Sequence, residues 1–350
     1  MRKPALFPLI AVSTVVFWAC SNEPLSPRTR EPGANTLLAR RSAEHSAHNT
    51  WIVDDDRANC PQAQFTSIQA AVAAAAPGDK ILVCAGTYHE QVTVPKNDLT
   101  IAARGNGENE ADDEDDDDDN APAAAPDRHA VIVDAHGHAF GFLVTNASGV
   151  TIQGFLVENA HEADIGLASA TNTRIRRNVT TGAGHDGIEL FGGSDNRIEH
   201  NLSIDNLAVN ACGINLTAGS TRNLVRHNQL VHNEWGIQIA GATTLNNVIR
   251  ENFSFENRGN GIRNVGGASG TLIEKNRAFR NGLTPGALTD GFASGIRIAN
   301  GTGIVVRKNT AFDNLLFDLR NDAGAGATFA DNRCRTSSPP GLCERGEDRE

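Results

Sequence analysis

From about residue 150 onward the apolar positions follow neither the spacing of an amphipathic helix nor one long alternation. They recur at the head of four-residue motifs that end on asparagine: IRRN (175–178), IEHN (198–201), VRHN (225–228), IREN (249–252), IEKN (273–276) and VRKN (306–309). The leading aliphatic residues step by 23, 27, 24, 24 and 33, with Ile152 lying 23 before the series and Phe329 23 after it. A second asparagine follows in most units (Asn206, Asn233, Asn257, Asn281, Asn314), and then a Gly-Ile pair at 187–188, 213–214, 236–237, 261–262 and 295–296. Each unit therefore predicts three short β-segments separated by Asn or Gly bends, and none holds the apolar helix of a βαβ or leucine-rich repeat. A fixed period of this length predicts a solenoid, whose stacked Ile and Val fill the interior.

Asparagine suits such bends in two ways. It tolerates the left-handed backbone, and its amide can bond to the asparagine one rung away at the ~4.8 Å strand spacing. The residue after each leading aliphatic should point outward, which places Arg176, Glu199, Arg226, Arg250, Glu274 and Arg307 in one row of surface ion pairs. Upstream, the stretch 65–94 reads as a capping box, Thr66 with Gln69, opening an alanine-rich helix with Ile68 and Val72 on one face, then Pro77-Gly78 and strands.

The repeat resembles the right-handed parallel β-helix of the pectin-lyase-like superfamily over roughly residues 80 to 335, and the opening segment resembles the helix that plugs the first coil in such proteins. The expected fold is all-β: a single-stranded right-handed parallel β-helix over 50–345, with a short N-terminal capping helix and a cap region at 60–94. Two stretches break the period. Residues 104–128 carry a run of acids with Ala and Pro, composition that cannot bury a core and predicts a disordered insertion. Residues 281–294 account for the long step and predict a loop on a rigid scaffold, where function tends to be placed.

Charge and composition narrow the field. The 350 residues carry a formal net charge of -11, from 31 basic and 42 acidic side chains, which excludes a nucleic-acid binder driven by bulk positive charge. Ten of those acids lie between Glu108 and Asp119, so the rest of the chain is close to neutral.

The first nineteen residues have a basic start, Arg2-Lys3, and an apolar run, the pattern of an export signal. Cleavage before Cys20 resembles a bacterial lipoprotein signal, in which that cysteine is lipidated, although Phe17-Trp18 departs from the usual pattern. Residues 20–49 then read as a flexible tether, and the expected location is a bacterial cell envelope, by a membrane lipid anchor or otherwise as a periplasmic or secreted protein. Cys60 with Cys84, and Cys334 with Cys343, are the expected disulfides, leaving Cys212 as a buried free thiol.

Enzymes of the resembled superfamily act on acidic polysaccharides, yet the motifs of pectin methylesterases are not found and polygalacturonase motifs have only a partial echo at Gly184-His185-Asp186-Gly187. His185 and Asp186 are the catalytic candidates, because a lyase or C5-epimerase must remove a proton next to a carboxylate, a task for a base with a neutralising partner. Candidate polysaccharide-binding residues form the row Glu189, Asn215, Gln238, Arg263 and Arg297, with Trp235 as a sugar-stacking platform. His200, His227 and His232 could bring imidazoles together, but with Met1 the only methionine no copper site is expected, and no metal or cofactor is assigned beyond possible weak calcium collection by the acidic run. Three functions fit: polysaccharide binding, uronate lyase or epimerase chemistry, and a structural or adhesive rod.

Overall fold

The computed structural model describes residues 48–104, 131–283 and 293–345, all within one compact unit spanning His48–Glu350. Cys20, the expected export leader, nearly all of the expected tether, the acidic stretch beyond Arg104 and most of the 281–294 segment lie outside the described residues.

Three parallel sheets form the walls of a β-helix. Among the described residues, sheet 1 has eleven strands, from Thr50–Val53 to Ala327–Ala330. Sheet 2 has ten, from Val92–Val94 to Ser337–Ser338, and sheet 3 has eleven, from Gly86–Tyr88 to Glu344–Arg345. Each strand pairs in parallel with its counterpart one coil earlier and one coil later, for example Arg174–Arg176 with both Thr151–Gln153 and Arg197–Glu199. The coil thus begins at Thr50, earlier than the resemblance alone suggests. On sheet 1 the leading aliphatics Ile152, Ile175, Ile198, Val225, Ile249 and Ile273 stack with no exposed surface.

The asparagines build the corners differently from expectation. The first left-handed position in each unit belongs to the residue before the asparagine: Arg177, His200, His227, Glu251, Lys275, Lys308 and Asp331 all have φ between 51° and 58°. The asparagine itself turns inward and bonds along the stack. Asn178, Asn201, Asn228, Asn252, Asn276, Asn309 and Asn332 form a buried column in which each Nδ2 donates to the next Oδ1 at 3.0–3.2 Å. Each Oδ1 also accepts the backbone N–H of the asparagine before it. A second column, Asn206 to Asn314, ends on Asp318, whose carboxylate accepts the last amide and, through its other oxygen, the N–H groups of Arg335 and Thr336. A polar interior is tolerated because the amides of these two columns all have their partners.

The outward row on sheet 1 has the expected register, Arg176 through Arg307. Glu199, however, is nearly buried, gripped by Arg174 Nε at 2.8 Å and Arg226 Nε at 3.0 Å.

At the N-terminal end the helix Ile68–Ala74 buries Ile68, Ala71 and Val72. Its N-cap is Ser67, whose Oγ accepts from Ala70 N–H, and Glu90 accepts from Ile68 N–H and Gln69 N–H. The Thr66–Gln69 box does not form because Gln69 is used elsewhere: its amide oxygen accepts from Thr93 N–H at 2.6 Å and its NH₂ donates to Thr93 O at 3.3 Å. Thr93 sits on the first strand of sheet 2, so Gln69 blunts an exposed sheet edge. Both expected disulfides, Cys60–Cys84 and Cys334–Cys343, are formed, and Cys212 is free and buried.

Sheet 3 reverses the usual polarity. In its middle strands the inward residues, Leu230 apart, are small or polar (Thr180, Ser203, Ser254, Ala278, Ala311), while Leu202, Ile204, Val231, Phe253, Phe255 and Phe279 point outward and are half-buried.

Candidate functional site

Sheet 2 carries the candidate residues because its strands share one register. Ile188, Ile214, Ile237, Ile262 and Ile296 point inward and align, so the next residue on each strand points out: Glu189, Asn215, Gln238, Arg263 and Arg297 form one continuous row. Arg320 extends it by a rung, in a strand without the Gly-Ile pair. The signal for it is the 23-residue step from Arg297. The preceding glycines are fixed by crowding at the corner: a Cβ on Gly236 would collide with the Gly261 carbonyl oxygen and Ser254 Oγ.

At one end of the row lies an acid–base group. His185 precedes the strand Asp186–Ser194, and Asp186 is its first residue, so strand alternation does not separate the two side chains. His185 Nδ1 lies 2.8 Å from Asp186 Oδ2; the imidazole is partly exposed and the carboxylate has no exposed surface. Asp186 is held by two further contacts that leave it little freedom: Cys212 N–H donates to Oδ1 at 2.7 Å, and Asn215 Nδ2 donates to Oδ2 at 2.9 Å. The hydrogen bond to Asp186 raises the His185 imidazole to about 8 against the opposing effect of burial. Burial, then the Asp186 charge, raises the Glu189 carboxyl to about 7. Both groups therefore exchange protons near neutrality, the condition for general acid–base work.

Beyond Asn215 the row is a relay. Gln238 Nε2 donates to Asn215 Oδ1 at 3.0 Å, and Arg263 Nη2 donates to Gln238 Oε1. The Arg263 guanidinium lies over the Trp235 ring, its Cζ 3.1 Å from the centroid. Trp235 is only 6% exposed, so the expectation of a sugar-stacking indole is corrected: the ring supports Arg263 and is covered by it. Asn215 and Arg263 are also buried, which makes the row less open than a flat solvated sheet. Arg263 forms no ion pair among the described residues, its Nε has no acceptor, and burial lowers it to about 10. Arg297 and Arg320 share Asp322, each Nε lying 2.9 Å from one carboxylate oxygen.

The remaining candidates fall elsewhere. Cys212 pairs in register with Asp186 and Trp235, fully buried, with burial and then Asp186 pushing its thiol well up, so it is inert packing. His200 and His227 do meet, with rings stacked 4.9 Å apart, but His232 turns to Glu256 at 3.0 Å. Parallel stacked rings do not converge on one ion. Among the described residues, three carboxylates close enough together to share a cation occur at Asp54, Asp55 and Asp56, on the first coil and not on this face, and each already accepts a backbone N–H.

Residues 131–254 match the family model for a right-handed β-helix region. No curated protein matches the chain by sequence. Solved structures do match in fold. A pectate lyase, Pel9A, is 18% identical with a TM-score of 0.53, covering 83% of this chain and 70% of its own. An alginate lyase from Paenibacillus sp. str. FPU-7 is 14% identical with a TM-score of 0.50, covering 85% of this chain and 98% of its own. A GH136 lacto-N-biosidase from Eubacterium ramulus is 14% identical with a TM-score of 0.50, covering 85% of this chain and 57% of its own. At this identity the likeness establishes the right-handed parallel β-helix.

Proposed function

We propose that this chain is an exported β-helix protein that binds an extended acidic polysaccharide along the outer face of sheet 2. The observation that carries this reading is Arg263: a buried guanidinium without an acid partner, set in a polar row and followed by Arg297 and Arg320. A buried cation is costly unless an anion meets it, and a polyuronate presents carboxylates at repeated intervals. The row from Glu189 to Arg320 covers six rungs, five spacings of ~4.8 Å or roughly 24 Å, enough for several sugar units. Structures named as an alginate lyase and a pectate lyase share the fold, which supports a polysaccharide ligand. The disulfides fit an oxidising compartment, and lipidation at Cys20 would hold the protein at an envelope membrane. Calorimetric titration with alginate, polygalacturonate and neutral dextran tests the reading. Binding should be confined to the acidic polymers, weaken with salt, and fall at least tenfold in Arg297→Ala/Arg320→Ala. Unchanged affinity in that double variant overturns it.

A second reading is favoured by one specific arrangement, the His185–Asp186 contact beside Glu189. The pair could remove the C5 proton of a bound uronate, as lyases and C5-epimerases must, with His185 as base. Proton release from an imidazole at about 8 makes kcat/KM rise with pH up to about that value. Deuterium incorporation at C5, or the ultraviolet absorbance of an unsaturated uronate, detects it; neither signal with any uronate polymer leaves binding alone.

A further inference from the structure

The inverted strands of sheet 3 need an explanation that the sheet 2 face does not supply. Thr180, Ser203, Ser254, Ala278 and Ala311 fill the interior with no exposed surface, interrupted by the single inward Leu230, while large apolar side chains stand outside on these strands. Phe255, Phe279 and Phe312 share one register position on successive coils, with the Phe279 and Phe312 ring centroids 6.1 Å apart. Phe253 joins them at 5.5 Å from Phe255 and 6.0 Å from Phe279. Burial drives large apolar groups inward, so a chain that puts serine and alanine inside and phenylalanine outside is specifying a second surface to bury against.

The ends of this stripe carry unpaired charge of opposite sign. Glu158, on the second of its coils, makes no ion pair among the described residues, and burial followed by the nearby Asp134 raises its carboxyl. Arg277 and Arg333, at the other end, are exposed and also make no ion pair among the described residues; the Arg277 guanidinium merely rests 5.5 Å from the Phe253 and Phe279 rings. Glu158 and Phe279 occupy the same row five coils apart, and Arg277 lies beside Phe279 on the same strand. The face is therefore complementary to itself turned end for end.

We infer that the outer face of sheet 3 is a self-association surface, on which two copies pack with their solenoid axes antiparallel. A two-fold axis between the Leu202–Ile204 and Gln229–Val231 rungs sets Glu158 of each copy over the Arg277 rung of the other, closing two ion pairs at once, while Ile204, Val231, Phe253 and Phe255 pack across the centre. Parallel packing is excluded by charge, since it would oppose Glu158 to Glu158. A stripe one short strand wide makes a small interface, so the dimer belongs to the micromolar class.

Sedimentation velocity on the full chain over a concentration series is the test. The expected result is a shift to twice the monomer mass in the micromolar range. Phe255→Glu/Phe279→Glu should remain monomeric while keeping its circular dichroism spectrum. Should that variant fail to fold, the charge reversals decide: Glu158→Lys and Arg277→Glu each weaken association about tenfold or more, and the two together restore it. A chain that stays monomeric throughout, or single reversals without effect, or a double reversal that does not recover, overturns the inference. A monomeric chain whose polysaccharide affinity is lost in Phe255→Glu also overturns it, and assigns the stripe to sugar instead.

Discussion

His185 and Asp186 were legible as a pair of reactive residue types, but their contact was not, because alternation along a strand says that neighbours face apart. The rule fails here for a physical reason: Asp186 opens its strand and His185 still belongs to the corner. Trp235 misled in the opposite direction, since an aromatic residue beside a polar row reads as a sugar platform until a guanidinium is found on its face. The titration of this cluster gives a stability signature. Glu189 is raised from 4.5 to about 7, so the folded state holds a proton that the unfolded chain has already released, and stability falls as pH rises through that interval. His185, raised from 6.5 to about 8, adds a second loss as pH passes its folded value. Melting temperature should therefore decline from about pH 5 to about pH 8. Glu189→Gln should flatten the lower part of that decline and His185→Gln the upper part, read by thermal melts across buffers; a parallel decline in both variants would falsify the assignment.

At the scale of the element, the asparagine columns were the most legible feature, and the one most instructively misread. Their period and partner were plain from the spacing, but the left-handed turn belongs to the residue before, which is Arg, His, Glu, Lys or Asp in different units. Such varied residues reach αL because the buried amide next door satisfies the corner's backbone groups. Asn228 shows the load: its Oδ1 accepts from Asn201, and its Nδ2 donates to Ile198 O, Arg226 O and Asn252 Oδ1. Asn228→Ala should cost about 2–3 kcal/mol or more, because it strands buried partners on both neighbouring coils. Asn228→Asp should also destabilise, having no amide hydrogens to pass on, and urea unfolding measures both. The carboxylate is accommodated at Asp318 because there the column ends and backbone N–H groups take over as donors.

For the whole molecule, a solenoid lives or fails at its ends, and here each end has a disulfide. Cys60–Cys84 closes 24 residues beside the capping helix and Cys334–Cys343 closes 9 at the last coil. Loop-closure arithmetic gives each about 3 kcal/mol. Reduction should lower the melting temperature and start exchange of amide hydrogens at the terminal coils before the centre, which exchange mass spectrometry resolves by segment; simultaneous loss throughout would show that the ends are not the weak points. The architecture was visible in the sequence because it is periodic, whereas the outward apolar stripe of sheet 3 was not: a burst such as FSF gives no sign of which of its residues faces in. The amide columns carry one more consequence. Because every link runs the same way and each coil hands its neighbour the same donor and receives the same acceptor, a coil is an interchangeable link. Excising residues 228–251 would leave Asn201 facing Asn252 with all bonds re-made, like to like. Coil number is thus a quantity that duplication and deletion can change without leaving an unpaired amide in these columns, and the length of the proposed binding face is open to evolution one rung at a time.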